Sequence, residues 1–137
     1  MIIRKLCLLF LVSVLAFLLC GCEKEKPLIL FNNQPINKLT VNAPVDYFEL
    51  GEIVYFVAFN PKGFESPYLR LQLVKKDTKV QNWGFKIALS KDIKIDTSKK
   101  YYIDSLNVSQ AGTYILSLFY LNDLNRPIVR GMFVVRK

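Results

Sequence analysis

The chain contains no histidine, and this limits the chemistry open to it. Ser-His-Asp triads, imidazole acid–base work and most zinc sites lose their commonest participant. A serine nucleophile would need a lysine as its base, yet no Ser-x-x-Lys spacing occurs. Ser90-Lys91 and Ser98-Lys99 are adjacent pairs, which on a strand puts the two side chains on opposite faces, so they read as turn residues. Two carboxylates flanking a bond suffice for glycoside hydrolysis. The 11 acids here lie mostly in turns or near lysines, as Asp92 beside Lys91 and Asp96 near Lys94, and nothing draws two of them together. Asn122, Asp123 and Asn125 carry oxygens of the kind that hold surface calcium, but they are equally ordinary hairpin-turn residues. There is no glycine-rich phosphate loop. Nucleic-acid binding would want a basic face interleaved with aromatics, and an exported protein of the kind read below seldom meets that substrate. The expectation is a protein with no catalytic residue, no metal, no cofactor and no nucleic-acid partner.

Of the three cysteines, Cys7, Cys20 and Cys22, all fall within the first 22 residues. Arg4 and Lys5 form a positive start, and Leu6 to Leu19 is apolar without a charge, which is the anatomy of a secretory signal. As a helix, that run reaches only about 21 Å, short of the roughly 30 Å hydrocarbon core. A permanent span is therefore the weaker reading. The run ends in Leu19-Cys20-Gly21-Cys22, which resembles the box cleaved by bacterial lipoprotein signal peptidase: a branched apolar residue at −3, small residues before the cut, then the cysteine that receives lipid. Cys20 is preceded by Phe17, Leu18 and Leu19 and lacks the small residue at −1, so Cys22 is the better fit.

The resemblance implies a signal peptide over 1–21, a lipid-bearing Cys22 and a bilayer as partner. Cys7 and Cys20 would leave with the leader, so the mature chain would have neither free thiol nor disulfide, even in an oxidising compartment. Glu23 after that cysteine favours the outer over the inner membrane. Glu23 to Pro27 is charged and ends in proline, a solvated tether over 22–27.

The remainder, 28–137, is one domain's worth of chain. Loss of Arg4 and Lys5 takes two from the 19 basic residues and none from the 11 acidic ones, leaving +6. This charge reads first as solubility, and second as attraction to anionic headgroups or polyanions, screened beyond about 8 Å at physiological salt.

From Leu28 onward, short runs of Val, Ile, Tyr, Phe and Leu alternate with Asn, Pro, Gly, Asp and Ser at intervals near ten residues, the pattern of an all-β sandwich. Weak first strands are expected at Leu28 to Phe31 and Lys38 to Val41, and Ala43 to Leu50 continues the edge. A corner at Gly51-Glu52 leads into Ile53 to Phe59, apolar on both parities, which predicts a central strand with its outer face covered. Asn60 to Pro67 is a loop. Tyr68 to Val74 alternates cleanly, with Leu69, Leu71 and Leu73 on one side and Arg70 and Gln72 on the other. Lys75 to Lys79 reads as a turn. Phe85, Ile87 and Leu89 are in phase, Ser90-Lys91-Asp92 reads as a turn into Ile93 and Ile95, and Tyr101 to Leu106 forms another strand. Pro127 to Arg136 closes the domain, with Val129, Phe133 and Val135 inward. Arg130 and Arg136 face out and are expected to guard an edge.

Ala111-Gly112-Thr113-Tyr114, running into Ile115 to Tyr120, resembles the start of the penultimate strand of immunoglobulin-like domains. That resemblance implies an immunoglobulin-like antiparallel β-sandwich of about seven to nine strands after an N-terminal signal helix. It also implies that the Tyr114 hydroxyl bonds to upstream backbone. The family's cysteine two residues on is Leu116 here.

Recognition by surface remains. Phe64 and Tyr68 flank the proline-rich loop, and Trp83 and Phe85 flank Gly84. Aromatics on rigid loops are usual anchors of protein contacts, with capping of the core as the competing role. The reading is a non-catalytic envelope lipoprotein with a protein partner; the alternative is a small-ligand carrier or hydrolase, which would need a deep pocket.

Overall fold

The structure, a computed structural model, describes residues 25–37, 43–77 and 84–137. The leader with Cys22, the strand expected at 38–41 and Trp83 lie outside the described residues. The described chain is all β: β1 (Leu28–Asn32), β2 (Tyr47–Glu49), β3 (Val54–Phe59), β4 (Tyr68–Lys76), β5 (Phe85–Lys94), β6 (Tyr101–Leu106), β7 (Gly112–Tyr120) and β8 (Val129–Arg136). They form a three-stranded sheet, β1-β3-β6, and a five-stranded sheet, β2-β8-β7-β4-β5.

Period-2 alternation decides why these strands face one another. Leu69, Leu71 and Leu73 of β4 are fully buried, as are Tyr114, Leu116 and Leu118 of β7 and Phe133 and Val135 of β8. Against them the small sheet sets Ile29, Phe31, Val54, Phe56, Ala58 and Leu106. Burial of each large side chain is worth about 1.5–3 kcal/mol, so the two apolar faces close on each other as a sandwich. The expected central strand is β3, flanked on both sides.

The Tyr114 hydroxyl donates to the Gln110 carbonyl at 2.7 Å, the tyrosine-corner bond that the sequence suggested. Burial also pushes its pKa up. Gly51 makes the expected corner with φ 98°, a backbone region that costs glycine little.

The structure departs from the expectations at five places. The sandwich is antiparallel except that β2 runs parallel to β8. Lys75 and Lys76 extend β4 instead of turning. Ser90-Lys91-Asp92 is no turn either, because β5 continues through it, paired with Gln72, Leu71 and Arg70. The Arg70–Asp92 ion pair at 2.8 Å joins the strands there. The register also slips between Leu73 and Val74, with Ala88 unpaired. That bulge reverses the phase of β5, so Leu89 lies opposite inward Leu73, whereas Ile87 and Phe85 lie on the outward face, 58% and 50% exposed. Arg136 does not guard a free edge: it pairs with Glu49 of β2 and sits over the Tyr47 ring at 4.4 Å.

Two substitutions test this packing. A Cβ at Gly131 would lie 2.9 Å from both Ile29 and Phe31, so Gly131→Ala should cost about 1–3 kcal/mol by overpacking, read as a lowered urea midpoint. An unchanged midpoint would mean that the sheets part easily there. Tyr114→Phe keeps the ring and removes one hydrogen bond, and about 1 kcal/mol of lost stability is expected in the same titration.

Candidate functional site

With the inward parity fixed by the core, the opposite parity of each sheet faces out. On the small sheet the registers stack three rows: Leu28–Phe59–Tyr101, Leu30–Val57–Ile103 and Asn32–Tyr55–Ser105. None of these nine side chains is charged. Val57 at the centre is only 1% exposed, while Leu28 at the rim is 41% exposed. Outward positions of an antiparallel sheet facing water are usually polar; here seven of the nine are apolar or aromatic, and only Asn32 and Ser105, in the last row, are polar.

The large sheet carries one apolar row on its outward side, Ile87–Val74–Ile115–Met132. Met132 is 60% exposed. Polar partners flank the row: Gln72 is opposite Ser117, and Arg70 is bonded to Asp92.

At the side of the sandwich where β5 and β6 are edges, the β4–β5 ribbon and residues 107–110 border an open cleft of about 290 Å³. Leu73, Leu89 and Tyr114 lie along it with Lys75 and Lys86, and Lys75 donates to the Gln110 side-chain oxygen at 2.9 Å. Further along the same side Lys91 of β5 reaches Asp104 of β6 at 3.5 Å, an ion pair from one sheet to the other. The Tyr102 hydroxyl also donates to Asp104, and the Ser105 N–H donates to its other oxygen at 2.8 Å. Burial pushes the Asp104 carboxyl up, but Tyr102, Ser105 and Lys91 together outweigh it and hold the group below the usual carboxylate range. Burial and the neighbouring carboxylate move Tyr102 the opposite way, well above the ordinary phenol range. This cluster escaped the sequence reading. The signal available was Tyr102-x-Asp104, two polar groups on one face of a strand whose next inward residue is Leu106.

The residues singled out from sequence do not form one site. Phe64 is 6% exposed and packs with Leu69 and Ile95, so it caps the core and offers no surface. Its loop is fixed by Asn60, whose side chain donates to the Gly63 carbonyl at 2.8 Å, and by the Glu65 N–H donating to the Tyr120 hydroxyl at 2.9 Å. Tyr68 is 51% exposed with the Lys94 ammonium 5.8 Å from its ring. Phe85 pairs with Lys76 at the other end of the β4–β5 ribbon, roughly 27 Å from Tyr68 at 3.4 Å per residue. Ser98 donates its N–H and hydroxyl to Asp96, which lowers that carboxyl. Asp123 accepts from the Asn125 N–H at 3.3 Å, as a turn aspartate does. Among the described residues, no three carboxylate, thiol or imidazole side chains come together to hold a metal, and no helix is long and apolar enough to cross a membrane.

The fold defines a β-sandwich domain with two apolar outward surfaces. No protein-family model matches the chain, and no curated protein matches it.

A carboxyl with a depressed pKa contributes stability above its ordinary value near 4 that is lost as pH falls through the folded value. Asp104→Asn should therefore lower stability at pH 7 by on the order of 1–2 kcal/mol, and its deficit should shrink as the pH is taken below about 4. Thermal melts of both proteins across that range check this, and parallel curves would show that Asp104 contributes nothing.

Proposed function

We propose that this chain is a lipid-anchored protein of a bacterial envelope, held through acylated Cys22, whose sandwich is a non-catalytic interaction module. The observation that carries this reading is the placement of the Leu19-Cys20-Gly21-Cys22 box immediately before the domain: Cys22 stands only six residues from Leu28, where β1 begins. A lipid there would put the domain directly at the membrane. Glu23 at the following position favours the outer membrane. The binding role is supported by the outward row Ile87–Val74–Ile115–Met132, an apolar strip with polar flanks on a rigid sheet, the composition a protein contact uses at its centre and rim. The cleft beside β5 is open to solvent rather than enclosing, which favours surface contact over carriage of a buried ligand.

Growth with labelled palmitate tests the anchor. Label should enter the wild-type protein and be absent from Cys22→Ala, with the variant released from the membrane fraction. Membrane retention without label in both would overturn the reading.

A further inference from the structure

The outward face of β1-β3-β6 is uncharged, and its solvent-facing part is the rim at Leu28, 41% exposed, with Phe59 and Tyr101 beside it half-buried. Three strands about 4.8 Å apart and three rows of side chains cover roughly 300 Å², far below the roughly 800 Å² per partner that a stable protein interface buries. A second copy could not be held by this face alone. A contact that small suffices only for a partner already held close by another link, because tethering supplies a high effective concentration.

Two features indicate what that partner is. The chain enters the domain at β1, an edge strand of this same sheet, and six residues back from Leu28 to Cys22 span at most about 20–22 Å. The row nearest that point is Leu28–Phe59–Tyr101, and lysines stand at its rim. The Lys100 carbonyl accepts from the Asn60 N–H at 2.8 Å, the Lys99 ammonium lies 5.8 Å from the Tyr101 ring, and Lys62 is exposed in the turn after β3. Asp96, the carboxylate of the adjoining turn, accepts two hydrogen bonds from Ser98 and also lies within electrostatic reach of Lys99, which a phosphate would have to compete for. Apolar and aromatic side chains bordered by lysines are what the boundary between acyl chains and headgroups accommodates.

We infer that the outward face of β1-β3-β6 rests on an anionic lipid bilayer, with Leu28, Phe59 and Tyr101 at headgroup depth and Lys62, Lys99 and Lys100 against lipid phosphates. The inference builds on the anchor at Cys22 and assigns this face to the membrane, leaving the five-stranded sheet turned away from it.

The full chain carrying Trp83→Phe and Phe59→Trp, purified from membranes and reconstituted into vesicles with brominated acyl chains, reports the contact through quenching of its sole indole. Leu28→Trp serves as a second reporter should Phe59→Trp disturb the sheet, and Ile87→Trp on the other sheet is the reference. Quenching at 59 or 28, absent at 87 and requiring phosphatidylglycerol, is expected. The combined Lys62→Glu, Lys99→Glu and Lys100→Glu substitutions should reduce the docked population by roughly fivefold per lysine. Lipidated protein whose indole at 59 or 28 is quenched no more than at 87 would overturn the inference while leaving the anchor intact. Unlipidated protein that still shows the expected quenching would keep the bilayer as the occupant of this face but overturn both the anchor and the argument that the contact needs a tether. Quenching indifferent to phosphatidylglycerol and to the charge reversals would overturn the anionic-lipid assignment. Self-association that shields the face would replace the bilayer with a second copy.

Discussion

Phe133 is the side chain on which the closure of the sandwich depends. Its ring lies 5.0 Å from Phe31, 5.7 Å from Phe48 and 5.3 Å from Tyr114, stacked on the last and tilted or edge-on to the others. One residue thereby joins β1, β2, β7 and β8, strands of both sheets. Each such aromatic pair is worth about 0.5–1.5 kcal/mol beyond its burial. In antibody domains a disulfide packed on tryptophan occupies the comparable role. Here every cysteine precedes residue 23, and the position two after Tyr114 is Leu116, wholly buried. Aromatic contact does what a covalent bond does elsewhere, and it requires close approach: Gly131 is what lets β8 come against Ile29 and Phe31. Tyr114 acts twice, its ring in the stack and its hydroxyl on the Gln110 carbonyl.

The opposite side needs a different solution, because there β5 and β6 are the edges of their sheets and no strand among the described residues covers the gap. Lys91 and Asp104 meet across it, with Tyr102 donating to the same carboxylate while its ring packs on Phe56 at 6.0 Å. An exposed ion pair by itself contributes little. This one is supported by two further hydrogen bonds to the carboxylate, so the polar closure is fully partnered where solvent reaches the core.

How much of this was legible follows from which signals are local. The alternation of β4 and the parities of β8 read directly, since period-2 burial leaves its mark on neighbouring residues. So did the tyrosine corner, because Tyr114 and Gln110 are four apart. The failures were all set by partners distant in sequence. Ser90-Lys91-Asp92 has turn composition, yet β4 supplies Gln72, Leu71 and Arg70 as pairing partners and the ladder prevails. The unpaired Ala88 reverses the phase of Phe85 and Ile87, which no periodicity within β5 could disclose. Phe64 and Tyr68 looked equivalent as loop aromatics, and only the position of Leu69 and Ile95 beneath the loop separates a capping ring from an exposed one. The parallel pairing of β2 with β8 joins segments some eighty-odd residues apart and left no trace in either.

One property exceeds what the core demands. Val54, Phe56 and Ala58 already close the inner side of β3, so the core does not call for apolar side chains at the half-buried positions 55 and 59. The excess is not confined to a central strand that needs strong pairing, because β1 and β6, both edges, repeat it in register at Leu28, Leu30, Tyr101 and Ile103, giving way only at Asn32 and Ser105. Nor does β propensity explain it, since threonine serves an outward strand position as well as valine. Exposed apolar sheet surface carries an aggregation hazard, and on the outward side of β5 in the other sheet charge interrupts it at Asp92 and Lys94. A face kept free of charge across three strands, beside the point where the chain enters the domain, is therefore not demanded by the packing between the two sheets.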